Sequence, residues 1–95
     1  MTTTTARVPT SNGSKYLQQL SKHWSHKLEV EFTPDRSVIR FPTAVTTMEA
    51  VEDRLVVRIE AEDEATLERY KGVVATHLDR FAFREAPLTF DWSDA

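Results

Sequence analysis

Three histidines are the residues of this 95-residue chain best suited to chemistry, and they lie in two segments that each close a predicted helix. His23 and His26 belong to residues 22–27, and His77 opens residues 77–85. Imidazoles three residues apart on a helix are neighbours on its surface and can bind one metal ion together. A third imidazole from the second helix would complete a site for Zn²⁺, Fe²⁺, Cu²⁺ or Ni²⁺. The pattern therefore suggests a divalent transition metal as the cofactor.

A purely structural interpretation of the same histidines competes with the metal site. His77 falls on the inward flank of its predicted helix, where a buried imidazole hydrogen-bonds to the backbone or to a tyrosine hydroxyl. His23 and His26 can bond the free carbonyl groups at a helix end. Because the pattern has neither cysteine partners nor a signature glutamate, we favour the structural interpretation and keep the metal site as a hypothesis.

Two arginines after the second helix, Arg80 and Arg84, form a candidate ligand site with the two tryptophans, Trp24 and Trp92. Forked guanidinium groups beside an aromatic surface bind carboxylates and phosphates. The expected ligand is a small acidic molecule or a metal chelate. Alternatively, both tryptophans belong to the core, which is the commoner role of large aromatic residues in an apolar stripe.

The arginines also have a structural interpretation. Phe81 and Phe83 would anchor the chain in the core, while Arg80 pairs with Asp79 or Glu85 and neutralises the negative end of the helix. We favour this reading, since such ion pairs are common.

Composition limits the class of protein. With 40% apolar and 28% charged residues, two glycines and four prolines, residues 1–95 are expected to form a single globular domain, with residues 1–3 frayed. No apolar run approaches the ~20 residues that span a bilayer, and the first residues lack the apolar stretch of a secretory signal. The absence of cysteine fits a reducing compartment, so we expect a cytoplasmic protein without a membrane partner.

Charge and motifs narrow the functions further. A net charge of −3 gives no overall attraction to phosphate backbones, so no nucleic-acid partner is expected. The chain has no glycine-rich phosphate loop, serine nucleophile elbow or metalloprotease helix motif. Catalysis by the histidines stays chemically feasible, but no residue pattern positions a substrate, and the balance leans against an enzyme.

Hydrophobic periodicity predicts the element order β-α-β-β-β-β-α-β. Predicted strands cover residues 3–8, 28–32, 37–41, 43–51, 55–60 and 88–92, and predicted helices cover residues 11–26 and 64–81. Four consecutive strands joined by short turns must be antiparallel, and two one-sided helices must cover the apolar face of the sheet. We therefore expect an α+β fold, an antiparallel sheet of five to six strands with both helices on one face. This order resembles one half of the TATA-binding-protein fold.

The whole chain also resembles a small bacterial family of unknown function, DUF2218. The resemblance rests on Ala6-Arg7-Val8 followed by Tyr16-Leu17, on Lys22-His23-x-x-His26-Lys27, on Val30-x-Phe32, and above all on His77-Leu78-x-Arg80-Phe81-Ala82-Phe83-Arg84-Glu85 before Trp92. It implies a compact stand-alone α+β protein without an established activity. It also implies a genomic setting beside siderophore-interaction and iron-uptake genes.

Three functional hypotheses follow. The leading one is a cytoplasmic binding or accessory module, iron- or siderophore-linked, that holds a metal, a metal chelate or a partner protein. The second is a small histidine-dependent, metal-assisted enzyme. The third is a homodimeric interaction domain without a ligand, so the oligomeric state, monomer or homodimer, stays open. Its interface would be the open face of the sheet, with Glu29, Glu31, Arg40, Arg58 and Glu60.

Overall fold

A computed structural model describes residues 2–94 of the chain. The elements are β1 (Thr2–Pro9), α1 (Gly13–Trp24), β2 (Glu29–Phe32), β3 (Arg36–Arg40), β4 (Ala44–Val51), β5 (Arg54–Ala61), α2 (Glu64–Phe81) and β6 (Trp92–Asp94). This order is the predicted one. Neither helix combines the length and the apolar character that crossing a bilayer requires.

The strands form one six-stranded sheet in the order β2-β3-β4-β5-β1-β6, and all paired strands are antiparallel. Short turns connect β2 to β5 in sequence, so these four strands lie side by side. β1 then pairs with β5 on one side and with β6 on the other. The predicted α+β fold with an antiparallel sheet and two helices is confirmed.

The core lies between the sheet and the two helices. On β5, Leu55, Val57 and Ile59 are fully buried, while the alternate residue Arg58 is exposed, as the period of two requires. The helices cover this face with fully or almost fully buried side chains: Leu17 and Leu20 from α1, and Leu67, Val74 and Leu78 from α2. One apolar face of the sheet thus holds both helices in place.

A pair of buried hydroxyl groups joins α1 to β3. Ser21 Oγ lies 2.6 Å from Ser37 Oγ and 2.6 Å from the carbonyl oxygen of Leu17, to which it donates. Both serines are at most 1% exposed. Because a hydroxyl has one proton to donate, Ser37 is the donor between the two serines.

The ends of the helices differ in how well the sequence marks them. α2 begins after Asp63, whose side chain accepts a 2.8 Å hydrogen bond from the Thr66 amide, and its bounds are the predicted ones. The same hydrogen bond lowers the pKa of Asp63. By contrast, α1 is shorter than the predicted 11–26 at both ends. Its N-cap residue, Asn12, makes no side-chain capping bond.

Both edges of the sheet depart from the prediction. The expected burial of Leu28, Val30 and Phe32 is wrong in degree, because β2 is an edge strand on which Phe32 is 36% exposed. The expected final strand is present, but its predicted bounds, 88–92, are wrong, since β6 begins only at Trp92. The amide of Leu88 instead donates to Asp79 Oδ1, at 2.8 Å.

The N-terminus is more ordered than expected. Thr2 and Thr3, which we expected to fray, pair with Ala61 and Glu60 on β5. Met1 lies outside the described residues.

The two glycines make a matched test of this packing. A Cβ atom on Gly13 would lie 3.3 Å from Leu55 Cβ and 3.5 Å from Ala50 Cβ, whereas one on Gly72 meets nothing within 4 Å. We expect Gly72→Ala to raise the free energy of unfolding by about 0.5–1 kcal/mol through helix propensity. Gly13→Ala should lower it by about 1 kcal/mol, because the neighbouring strands resist displacement. Denaturant unfolding measures both, and equal stabilisation by the two variants would contradict close packing at Gly13.

Candidate functional site

The two helices lie antiparallel on the sheet. Contacts between them run in opposite directions along the two sequences, since Tyr16 bonds Glu85, His23 contacts Phe81, and Trp24 contacts His77. The end of α1 therefore lies beside the last turns of α2. This alignment brings two of the three histidines together.

The imidazole rings of His23 and His77 have centroids 5.8 Å apart. His77 Nδ1 lies 2.7 Å from the carbonyl oxygen of Val73, so Nδ1 carries the proton and donates it. In a neutral imidazole this leaves the Nε2 lone pair free, which is how metal-binding histidines are commonly oriented. His23 is exposed and His77 is half-buried, so the pair lies at the protein surface. The expectation that His77 bonds the backbone agrees with this arrangement.

Aromatic rings surround the histidine pair on its inner side. The ring of Trp24 lies 4.9 Å from that of His77 and 5.0 Å from that of Phe41. The ring of Phe81 lies 5.9 Å from that of His23. The ring of Tyr70 lies 4.6 Å from that of Phe41, tilted by 38°. We call these side chains together the histidine–aromatic cluster: His23, Trp24, Phe41, Tyr70, His77 and Phe81.

The spacing of the two imidazoles suits one shared metal ion. With metal–nitrogen bonds of about 2.0–2.1 Å, two histidines on one ion have ring centroids about 5–6 Å apart. The observed 5.8 Å falls within that range. Other residues do not complete the site, because residues 2–94 contain no group of three or more histidine or carboxylate side chains that could hold a metal.

Of the three expected histidines, the structure brings His23 and His77 into ring contact. α1 ends at Trp24, two residues earlier than predicted, so His26 lies in the turn that follows and not on the helix. It is exposed, and within the described part of the chain it makes no ring contact with His23 or His77.

The four residues of the expected ligand site belong to different elements of the fold. Trp24 is 8% exposed and packs in the core. Trp92, on the edge strand β6, is partly buried against the core and stacked 5.7 Å from Phe90. Arg80 and Arg84 are exposed after or near the end of α2. No hydrogen bond, ion pair or ring contact within residues 2–94 joins any two of the four. The structure therefore does not assemble them into one site.

The structural interpretation of this segment also needs correction. Phe81 packs against the core as expected, but Phe83 is 72% exposed, with the Arg84 guanidinium 5.8 Å above its ring. Arg80 pairs with neither expected carboxylate. Asp79 accepts from the backbone after α2, and Glu85 is engaged elsewhere.

The role of Glu85 was not predicted from the sequence. Its carboxylate accepts hydrogen bonds from Thr10 Oγ1 at 3.0 Å, from Asn12 Nδ2 at 3.0 Å and from the Tyr16 hydroxyl. These donors, Tyr16 first among them, lower the pKa of Glu85. Burial, with Glu85 as a further cause, raises the pKa of Tyr16. The bonds tie the turn after α2 to the start of α1, a structural role that positions the histidine pair without touching it.

Comparisons with known proteins agree with this fold. The family described as "Uncharacterized protein conserved in bacteria (DUF2218)" matches residues 5–93 of the chain. The NMR structure of PA4090 from Pseudomonas aeruginosa is similar, with a TM-score of 0.83 and 35% sequence identity over 98% of this chain and 96% of that chain. No curated protein shows significant sequence similarity. A function must therefore be argued from the side chains.

The first test of the site concerns Glu85. Because folding lowers its pKa below 4.5, the stability that its carboxylate contributes is fully present above about pH 4.5 and is lost as the pH falls through the folded-state pKa. We expect Glu85→Gln to cost about 1–2 kcal/mol at neutral pH and to flatten the acid slope of the free energy of unfolding. Unfolding by denaturant at several pH values measures this. Glu62→Gln, at an exposed position before α2, is the control. An acid slope unchanged by Glu85→Gln would disprove the assigned role.

The second test concerns Tyr16, for which the stability is lost as the pH rises and not as it falls. Its pKa is raised above 10.0 in the folded state, so the unfolded chain loses the proton first as the pH rises. The associated stability is present below about pH 10 and is lost as the pH rises through the folded-state pKa. Tyr16→Phe should remove this alkaline loss, while Tyr70→Phe serves as the matched loss of a hydroxyl. Equal alkaline slopes for wild type and Tyr16→Phe would contradict the assignment.

Proposed function

This chain belongs to the DUF2218 family, which is described only as uncharacterized, and we propose that it is a binding module in which His23 and His77 together hold one divalent transition metal ion, either free or already in a chelate. The observation that carries the proposal is the pair of imidazoles 5.8 Å apart, one of them oriented by its bond to Val73. Imidazole nitrogen suits Zn²⁺, Cu²⁺, Ni²⁺ and Fe²⁺.

Two protein ligands favour a binding role over a structural one. Structural zinc sites are closed by four protein ligands, whereas two imidazoles leave the other positions of the ion to water or to the donor atoms of a small molecule. A metal ion that is already bound by a small chelating molecule, and that has two coordination positions still open, would fit such a site. The module would then recognise the chelate through its metal. The other rings of the histidine–aromatic cluster would hold the His77 ring in a fixed position.

The charges near the pair favour an anionic ligand. Lys22 precedes His23, and Arg80 lies one helical turn beyond His77; both side chains are exposed. The nearby carboxylate of Asp79 is engaged by the Leu88 amide. A negatively charged metal chelate would therefore be attracted to this end of α1 and the adjacent part of α2. The iron-linked setting implied by the family resemblance adds Fe²⁺ and iron chelates to the ligands worth testing.

The proposal is tested by titrating the protein with Zn²⁺ or Ni²⁺ while the imidazole resonances are followed by NMR. We expect the signals of His23 and His77 to change together with one ion per chain. His23→Gln or His77→Gln should each weaken binding at least about tenfold, which corresponds to ~1.4 kcal/mol.

His26→Gln is the matched control, because it removes an exposed imidazole three residues from His23 and should leave the affinity unchanged. Thermal unfolding of each variant separates loss of binding from loss of fold. If the ion moves only carboxylate or lysine signals, or if His26→Gln weakens binding as much as His77→Gln, the shared site does not exist.

A further inference from the structure

A cavity of about 250 Å³ lies at one end of the sheet, where β3 turns into β4 and where β5 ends. Residues 41–45 line it on one side, and residues 60–62 line it on the other. Strand pairing fixes the two sides relative to each other, since Ala44 and Ala61 are direct cross-strand partners on β4 and β5. The cavity is therefore bounded by backbone that the sheet holds in place.

Most of the residues that line the cavity are apolar, and Phe41 is the largest of them. Its ring contacts Trp24, with centroids 5.0 Å apart, and Tyr70, with centroids 4.6 Å apart. These contacts hold the Phe41 ring in position before any ligand arrives. Pro42 and Val45 add aliphatic surface to the same cavity. The cavity thus offers a short alkyl chain an apolar environment that is already formed.

The charged residues that line the cavity are both carboxylates, Glu60 and Glu62. Glu62 is exposed, and its carboxylate makes no hydrogen bond or ion pair with any residue from 2 to 94. Glu60 is half-buried, and the guanidinium of Arg58 lies 3.9 Å from its carboxylate. Because Arg58 is exposed and the separation is long for an ion pair, this contact contributes little. Both carboxylates are therefore open to a better cation.

Other charged side chains at this end of the sheet leave the negative charge of the cavity in place. Arg40 lies close by, since it is the cross-strand partner of Val45. Its guanidinium is engaged by two carboxylates of β2, at 3.4 Å and 2.9 Å. The chain beyond the cavity adds two more acidic residues, Asp63 and Glu64, of which Asp63 caps α2. A cation is thus the ligand that this end of the sheet attracts.

We propose that this cavity binds a small primary alkylammonium ion, with the alkyl chain against Phe41, Pro42 and Val45 and the ammonium group at Glu60 and Glu62. An ammonium group has three donors, which two carboxylates can accept, and a cation near an aromatic ring is stabilised further. The volume selects a short chain, because sites for drug-sized ligands occupy about 300–1,000 Å³. A bare metal ion fits less well, since the described chain has no metal-binding group of three or more histidine or carboxylate side chains.

The alkylammonium site is separate from the proposed metal site. The residues that line the cavity and those of the histidine–aromatic cluster have only Phe41 in common. Titrations in metal-free buffer therefore test the cavity alone, and failure of either proposal leaves the other intact.

The test is a titration of the full chain with n-butylammonium chloride, followed by the backbone amide signals in NMR spectra. We expect saturable shifts confined to residues 41–45, 60–62 and their neighbours. Butan-1-ol, which has the same chain without the charge, should bind at least about tenfold more weakly. Shorter amines down to methylammonium should bind about fourfold more weakly for each methylene group removed, because that much apolar burial is lost.

Two variants test the carboxylates. Glu62→Gln and Glu60→Gln should each weaken butylammonium binding at least about threefold. Glu64→Gln is the matched control, because it removes an exposed carboxylate two residues from Glu62 that does not line the cavity. It should leave the affinity unchanged. Thermal unfolding of each variant without ligand separates loss of binding from loss of fold.

Three results would overturn the proposal. Equal binding of butan-1-ol and butylammonium would show that the carboxylates take no part. Shifts that do not saturate, or that affect Glu29, Glu31 and Glu64 as much as Glu62, would show only general attraction of cations to an acidic surface. Tighter binding of the side chain of N-acetyl-lysine methylamide than of butylammonium would assign the cavity to a lysine of a protein partner and not to a free amine.

Discussion

The carboxylate of Glu85 sets how the two helices lie relative to each other. Its three donors, Thr10, Asn12 and Tyr16, all belong to the start of α1 or to the turn before it. Glu85 itself is held by its backbone, since its amide donates to the Ala82 carbonyl at 2.8 Å. The turn after α2 is therefore bonded to the beginning of α1. Antiparallel helices fixed at this point bring the last residues of α1 beside the last turns of α2, where the imidazoles meet.

The negative charge of the Glu85 carboxylate strengthens its hydrogen bonds to the start of α1, although Glu85 lies near the surface. Hydrogen bonds to an ionised carboxylate contribute more than those between neutral groups. Tyr16 is almost completely buried, at 4% exposure, whereas its partner Glu85 is exposed, so the bond lies at the edge of the core. The bond between Tyr16 and Glu85 contributes to both pKa shifts. It is the largest cause of the lowered pKa of Glu85, and at Tyr16 it adds to burial, which is the largest cause of the raised pKa.

Much of the fold could be predicted from the sequence because local signals agree with the tertiary packing. The alternation of apolar and polar residues predicts the strand β5, and Asp63 predicts the start of α2. Each signal lies within a few residues, and the structure confirms both predictions. The end of α1 and the bounds of the last strand were predicted wrongly, because long-range contacts decide them. Trp24 is buried against Phe41 at the point where α1 ends. Leu88 bonds a side chain of α2 and not a neighbouring strand.

The candidate site was predicted only in part, for the same reason. Helical position indicated that His77 points inward, and its meeting with His23 follows from two helices on one face. The role of Glu85 has no local signal, because its partners are 69 to 75 residues away in the sequence. Phe83 shows the opposite error, since an apolar residue in a motif with aromatic neighbours was placed in the core and lies in solvent.

The hydroxyl pair beneath α1 limits how that helix can move. Ser21 gives its proton to Leu17, so it depends on Ser37 for the remaining bond, and water cannot reach either serine. Sliding or rolling of the helix over the sheet would break the bond between the two serines and leave the Ser37 hydroxyl without an acceptor in an apolar layer, at a cost of about 1–3 kcal/mol. Ser21 stands two residues before His23. The bond between Ser21 and Ser37 therefore helps to fix the position of the His23 ring, although Ser37 belongs to β3 and not to either helix.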